Sequence, residues 1–229
     1  MTKEEKNLQT VPVENGLVAF FDVLGFKKML AANAVEESLD IINACMLEEL
    51  TTAEKIYGKF NIQTFVISDS ILIALSNLTS KEVMFFTMFC QQFIWGLLMN
   101  GLPVRGAIAS GKFSVLTRPN QIVLVGQPII DAHELVNSLE IAACALTPSS
   151  ESDVLKHLRN GQFKMHKTPI KNFPACGLYL LKYGTACSRE QMIHYFEKHN
   201  KHLDFSSFNK LNNTIEFLKA CGDFKLDQE

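Results

Sequence analysis

Two aspartates in this 229-residue chain lie inside segments that are otherwise apolar. Asp22 stands near the end of the run Leu17–Val23. Asp69 separates the run Ile62–Ile67 from the run Ile71–Leu75. These runs are rich in β-forming residues, so we predict that they are strands of one sheet on which the two carboxylates converge. A buried carboxylate is costly unless it is paired, hydrogen-bonded or bound to a metal ion. Mg²⁺, which takes one or two carboxylates and fills its shell with water and phosphate oxygens, suits such a pair.

The residues after the first aspartate predict a sharp turn into a helix. Gly25 lets the backbone turn closely, and the N-terminus of the helix then directs free N–H groups at whatever lies beside Asp22. Such a turn suits phosphate binding, to which Lys27 and Lys28 can contribute. A purely structural interpretation stays open, because an aspartate at a strand end is often a helix N-cap and Ser68-Asp69-Ser70 is often only a turn.

The order of apolar patterns predicts the architecture. Strands and helices alternate, which indicates an α+β or α/β class with one central sheet. Residues 1–15 form a polar N-terminal segment, residues 16–184 carry the alternating pattern, and residues 185–229 are predicted to be a helical extension. Residues 169–174 are predicted to be irregular.

Composition limits the classes of function. The chain is 47% hydrophobic and 20% charged, with a net charge of −2 and a pI of about 6.3. This favours a globular domain and argues against a basic nucleic-acid surface, so no nucleic-acid partner is expected. No apolar stretch reaches the roughly 20 residues that span a bilayer, and no membrane association is expected. The six cysteines form no C-x-x-C pair, which favours a reducing, cytoplasmic location.

Several motifs, taken in order, resemble the catalytic domain of class III nucleotide cyclases. The family's first strand ends in F-x-D-x-x-G-F, which matches residues 20–26. Its second metal-binding aspartate lies in a hairpin that matches residues 66–74, with Ser68 where glycine is usual. A strand of the type R-x-G-I-x-x-G matches residues 104–111, and a G-x-x-I-x-x-A-x-x-L helix opening matches residues 126–135. The strand Ile141–Leu146, the helix after it and the strand Gly177–Tyr183 match the family's closing order. The resemblance covers about residues 17–183, and these five weak motifs in the right order are more specific than any one of them.

The resemblance implies a fold and a reaction. The fold is a mostly antiparallel central sheet with a βααββαβ core flanked by helices. Two divalent ions, Mn²⁺ or Mg²⁺, would be held by Asp22, Asp69 and the carbonyl of Val23. The 3′ hydroxyl of a nucleoside triphosphate would then attack its α-phosphate and expel pyrophosphate. The family builds its sites at the interface of a homodimer.

The resemblance also implies which further residues contact the nucleotide. They are the turn residues Val23, Leu24, Gly25 and Phe26 and the two base-reading positions, Phe65 and Val123.

Departures from the family pattern narrow the range of substrates that the resemblance implies. Adenylate cyclases carry a lysine and an aspartate, which read adenine, where this chain has Phe65 and Val123. The guanine-reading glutamate and cysteine are absent as well. The family's transition-state asparagine and arginine correspond to Ile130 and Glu134. The chain therefore resembles neither ordinary adenylate nor ordinary guanylate cyclases.

One subgroup keeps the metal-binding aspartates and the R-G-A-I strand but lacks the purine readers and the asparagine–arginine pair. These are the pyrimidine cyclases of the Pycsar anti-phage defence systems. This resemblance implies a cyclase that converts UTP, or CTP, into a cyclic monophosphate, with uridylate cyclase activity preferred. The product would activate a separate effector.

Arg105 is our candidate for the missing catalytic cation, because a lone arginine in a strand of small residues is costly without a partner. An ion pair with Asp131, Glu134 or a metal-binding carboxylate is the structural alternative. Two other functions stay open for the chain. One is a degenerate cyclase-like domain that binds a nucleotide or partner without turnover, and the other is a palm-type nucleotidyl transferase.

Overall fold

The structure is a computed structural model that describes residues 9–32, 35–57, 62–118, 121–158, 161–184, 187–199 and 203–222. The strands are β1 (Gln9–Val23), β2 (Ile62–Ile67), β3 (Ser70–Leu75), β4 (Val104–Arg118), β5 (Gln121–Gly126), β6 (Cys144–Leu146), β7 (Phe163–Ile170) and β8 (Phe173–Leu181). The helices are α1 (Phe26–Ala32), α2 (Val35–Tyr57), α3 (Ser80–Met99), α4 (Gln127–Ser138), α5 (Glu151–Leu155), α6 (Arg189–Glu197) and α7 (Phe205–Cys221), with a 3₁₀ turn at Pro148–Ser150.

One sheet organises the domain. Its strands run in the order β2–β3–β1–β4–β6–β8–β7, and β5 pairs with β4 outside this path. The pair β4–β6 is parallel and the other pairs are antiparallel. From β1 to β4 the elements follow the order βααββαβ. The predicted α+β class and mostly antiparallel sheet are therefore confirmed.

The first strand begins earlier than the sequence pattern predicts. Residues 9–15, assigned to the polar segment, belong to β1 and pair with β4 up to a register shift between Val13 and Gly16. Pro12 is tolerated there because this part of β1 pairs on one side only. Val13 is buried against Phe113, a contact between residues 100 positions apart that local pattern does not reveal.

A hairpin replaces the irregular segment predicted over residues 169–174. β7 ends at Ile170 and β8 begins at Phe173, with Asn172 at a positive φ of 62° in the turn. Pro169 coincides with a register shift between Thr168 and Ile170, the kind of bulge at which a sheet accepts proline. The prediction failed because most side chains of β7 are exposed or half-buried, so the strand has no strong apolar alternation.

The helix α3 is the centre of the core on one face of the sheet. It is long and apolar enough to cross a membrane by length and composition, but ten of its residues are buried inside the domain. Phe93 stacks on Phe89 and meets Phe21 of β1 edge to face. Burial in this core accounts for the apolar length of α3.

The small residues of β4 allow close packing on both faces of the sheet. A Cβ atom added to Gly106 would lie 2.4 Å from Cδ1 of Phe21, so only glycine fits beneath that ring. On the opposite face, Ala107 and Ala109 pack against Ala132 of α4. This close packing sets the position of β4 beside the end of β1, where the predicted site lies.

Candidate active site

The backbones of the two predicted metal-binding aspartates lie close together at the end of β1. Asp22 pairs in register with Ser70, the residue that directly follows Asp69. The N–H of Val23 donates to the carbonyl oxygen of Asp69 at 3.0 Å. The structure therefore brings the backbones of two aspartates that are 47 positions apart in sequence close together, with Asp69 in the turn just before the register partner of Asp22.

The turn that carries Asp69 has an unusual backbone. Ser68 has a φ of 58°, which lies in the left-handed region that favours glycine. This is the position at which the resembled family usually has glycine. The serine at this position therefore adopts a backbone conformation that is unfavourable for it.

The turn after Asp22 has the predicted form. Gly25 has a φ of 78°, and its carbonyl oxygen accepts from the N–H groups of Lys28 and Met29 to begin α1. The N–H of Leu24 donates to the carbonyl of Pro103 at 2.8 Å, which ties the turn to the start of β4. The glycine-dependent turn is therefore confirmed, although α1 is only seven residues long.

Arg105 forms an ion pair with Asp22. Its Nε lies 2.7 Å from Oδ2 of Asp22, and the two side chains are only 17% and 20% exposed. Nη1 donates to the carbonyl oxygens of Asn137 and Leu139, each at 3.4 Å. Of the three structural partners predicted for Arg105, the structure has the proposed metal ligand Asp22 rather than Asp131 or Glu134. A guanidinium is held beside the predicted metal site.

A pocket of about 410 Å³, which we call the basic pocket, opens beside this ion pair. Val23, Leu24 and Gly25, which are predicted to contact the nucleotide, line this pocket. Its charged lining consists of the cations Lys27, Lys28, Arg105, Lys171 and Lys210 and the anions Asp22, Glu140 and Asp204. The surplus of positive charge suits an anionic ligand.

The two positions predicted to read the base lie elsewhere. Phe65 and Val123 line a second pocket of about 390 Å³, the apolar pocket, together with Phe20, Ile67, Ser70, Leu72, Leu124 and Ile129. Ser70 is the register partner of Asp22, so the apolar pocket is lined by the residue directly opposite Asp22 in the sheet. Phe26 lines neither of these two pockets. It lines a third pocket beside α2, together with Ile42 and Val66.

The donor atoms at the end of β1 suit a hard divalent cation. Two carboxylates and a backbone carbonyl provide oxygen ligands, which Mg²⁺ and Mn²⁺ prefer, and no soft ligand is present in this set. Within the described part of the chain no cluster of three or more His, Cys, Asp or Glu residues forms a metal site. Any ion here would therefore depend on Asp22, Asp69 and the Val23 carbonyl, with solvent or phosphate oxygens completing its shell.

The sequence interpretation missed the contribution of the C-terminal extension. The N-cap residue Asp204 and the α7 residues Ser206, Ser207 and Lys210 line the basic pocket, and Lys171 lines it from the β7–β8 turn. The sequence contains one indication of this contribution. Lys210 shares the helical spacing of Thr214, Phe217 and Leu218, which are buried, so a charge falls on the apolar face of α7.

Comparisons with known proteins identify the fold. No protein-family model matches the chain, and no curated protein matches it. The guanylate cyclase domain of RhGC from Catenaria anguillulae, solved in complex with GTP, is similar with a TM-score of 0.53 at 16% identity, over 76% of this chain and 98% of that one.

Two further solved structures agree. The guanylyl cyclase domain of the RhoGC fusion protein from the aquatic fungus Blastocladiella emersonii, solved as a dimer, gives a TM-score of 0.55 at 14% identity, over 77% of this chain and 99% of that one. The catalytic core of a rhodopsin-guanylyl cyclase with converted specificity was solved in complex with ATPαS. It gives a TM-score of 0.53 at 14% identity, over 76% of this chain and 99% of that one. The chain has the class III nucleotide cyclase fold.

Proposed function

We propose that this protein is a metal-dependent nucleotide cyclase that converts a pyrimidine nucleoside triphosphate, UTP in preference to CTP, into the 3′,5′-cyclic monophosphate and pyrophosphate. The proposal is supported by the backbone proximity of Asp22 and Asp69 at the end of β1, together with a pocket of surplus positive charge that Asp22 lines. Asp22 is ion-paired with Arg105, so the metal assignment rests on the two carboxylates together rather than on the burial of Asp22 alone.

Each group has a defined role in this proposal. Asp22, Asp69 and the Val23 carbonyl would hold two Mg²⁺ or Mn²⁺ ions, which supply Lewis-acid stabilisation of the attacking and leaving oxygens. Arg105 places a positive charge beside the reacting phosphate. Phe65 and Val123 offer the base an apolar wall without the charged groups that read a purine.

A homodimer with sites at its interface is part of the proposal. Ile67, which lines the apolar pocket, is 75% exposed, and Val125 and Ile130 are 63% and 51% exposed. Exposed apolar side chains around a ligand pocket favour a site that a second subunit completes. The product would act as a second messenger in anti-phage defence by activating a separate effector, as the resemblance to the Pycsar cyclases implies.

A specific observation favours a second candidate, a degenerate cyclase-like domain that binds without turnover. Ile130, at the position of the family's asparagine, is half-exposed, and Glu134 replaces the family's arginine. Arg105 also occupies an oxygen of Asp22 that a metal ion would need.

One assay separates these candidates. The purified protein is incubated with ATP, GTP, CTP or UTP and Mn²⁺, and the products are identified by mass. We expect a cyclic pyrimidine nucleotide and pyrophosphate, and loss of both in Asp69→Asn but not in the matched control Asp40→Asn, an exposed residue of α2. Binding without product would support the degenerate domain, and linear oligomers would support a nucleotidyl transferase.

A further inference from the structure

The basic pocket contains two cations in excess of its anions, and the pairing pattern shows which they are. Asp22 pairs with Arg105, and Lys28 Nζ lies 2.9 Å from Oδ2 of Asp204. Glu140 pairs with Lys210, as described below. Among the residues that the structure describes, this leaves Lys27 and Lys171 without an acidic partner at the pocket wall. An anion with more than one charge would balance them.

Lys210 is held in the pocket as a rigid cation. Its side chain is 11% exposed, and its Nζ lies 2.9 Å from Oε2 of Glu140. The same ammonium donates to Oγ of Ser206 at 2.7 Å. An ammonium has three N–H donors, so these two described partners leave one for a ligand. The remaining N–H group of this buried lysine can donate to an anionic oxygen in the pocket. Because the side chain is already fixed, binding costs little further side-chain entropy.

The helix that carries Lys210 is fixed against the domain near the site. Oγ1 of Thr214 accepts from the N–H of Ala142 at 3.0 Å, and Nδ2 of Asn213 donates to the carbonyl of Glu140 at 2.7 Å. Solved guanylyl cyclase domains are matched over almost their whole length while covering only 76–77% of this chain. The chain therefore has material beyond the shared domain, and the extension with α7 had no counterpart in the family's motif order.

We propose that α7 and the β7–β8 turn complete a polyphosphate-binding site, in which Lys210 and Lys171, together with Lys27, bind the phosphate chain of the ligand. The volume of about 410 Å³ falls in the range of small-molecule sites. The identification of that ligand as a nucleoside triphosphate rests on the proposed function. The recognition of a polyphosphate by these lysines does not.

The test uses the full chain and inorganic tripolyphosphate, which reports the phosphate site without a base or turnover. Calorimetry in the absence of divalent metal gives the dissociation constant. We expect Lys171→Ala to weaken binding about tenfold or more, because each charge-assisted contact is worth that factor or more. The matched control Lys167→Ala, exposed on the same hairpin but outside the pocket, should change it less than about twofold.

A second variant tests the helix. Lys210→Met combined with Glu140→Gln removes the buried pair without leaving an unpaired charge, which limits the damage to folding. It should also weaken tripolyphosphate binding about tenfold or more. The control Lys219→Ala, on α7 but outside the pocket lining, should not.

The outcomes separate this inference from the proposed function. No tripolyphosphate binding by the wild type, or unchanged affinity in Lys171→Ala, would overturn the inference even if cyclic product forms. Weakened binding in the pocket variants supports it even if no cyclic product is ever found. If UTP competes with tripolyphosphate, the natural ligand is the nucleotide; if UTP does not compete, a free polyphosphate is the ligand and the site is separate from the cyclase chemistry.

Discussion

Arg105 and Asp22 lie directly opposite each other in adjacent antiparallel strands, with 2.7 Å between Nε and Oδ2. The pair neutralises one of the two carboxylates that the proposed mechanism assigns to metal ions. In the proposed mechanism a divalent ion at Asp22 would therefore compete with the guanidinium for this oxygen unless Arg105 turns towards the phosphate when a nucleotide binds.

The first prediction concerns this competition. Arg105→Ala should abolish cyclisation while the protein stays folded, with a loss of about 1.5–3 kcal/mol in the free energy of unfolding. Because Asp22 is then unpaired, Mn²⁺ should bind more tightly in the absence of nucleotide, which electron paramagnetic resonance can measure. Arg105→Lys keeps the charge but not the forked geometry, so its rate of cyclisation should lie between those of the wild type and Arg105→Ala. Near-normal turnover in Arg105→Ala would refute the catalytic assignment.

The second prediction concerns the turn that presents Asp69. Ser68 has a φ of 58°, so Ser68→Gly should relieve strain and raise the free energy of unfolding by about 0.5–1 kcal/mol. Chemical denaturation measures the change. Ser70→Gly is the matched control: Ser70 lies in β3, where glycine costs about 0.5–1 kcal/mol. Stabilisation by both substitutions, or by neither, would contradict the proposed strain at Ser68.

The third prediction concerns pH. The Ser207 backbone N–H and, next, the Lys28 ammonium hold the pKa of Asp204 well below its usual range. The folded state thus favours the charged carboxylate, so its stabilisation is fully present above the ordinary aspartate pKa of about 3.9 and falls as the pH drops below that value. Asp204 also caps α7, because Oδ1 accepts from the N–H of Ser207 at 2.8 Å.

Asp204→Ala should therefore destabilise the protein by about 1 kcal/mol at pH 7. The difference from the wild type should shrink as the pH is lowered to 3 and below, as judged by urea unfolding at each pH. An equal difference at both ends of this range would mean that charge plays no part in the cap.

The fourth prediction concerns base selection. Phe65 and Val123 line one pocket, and the resembled adenylate cyclases have lysine and aspartate at these positions. Phe65→Lys combined with Val123→Asp should raise the ratio of kcat/KM for ATP to that for UTP by about tenfold or more, since each new hydrogen bond to a base is worth about that factor.

The control for base selection is Phe65→Leu with Val123→Leu, which keeps the wall apolar and should leave the ratio near that of the wild type. Binding of tripolyphosphate should be the same in both double variants, because neither residue lines the basic pocket. If the kcat/KM ratio is unchanged in the charged variant, the base does not bind in the apolar pocket.

Much of the framework follows from local pattern. The strand that ends at Asp22, the hairpin around Asp69 and the turn at Gly25 were predicted from apolar runs and turn residues, and the structure has all three. The strand β7 and the first residues of β1 were not predicted. Their side chains alternate weakly, and their stability comes from pairing with distant strands rather than from propensity.

The amino-acid sequence alone determined the class of the fold, the two carboxylates and the departures from purine-reading cyclases, because these depend on residue identity and short spacings. Only the tertiary structure decided that Arg105 pairs with Asp22 and that Lys210 and Lys171 reach the same pocket. These residues lie 83 or more positions from Asp22 in the sequence. Their contacts are set by the register of the sheet and by the docking of the helices. No local period encodes such distances, so the charged wall of the pocket emerges only when the chain is folded.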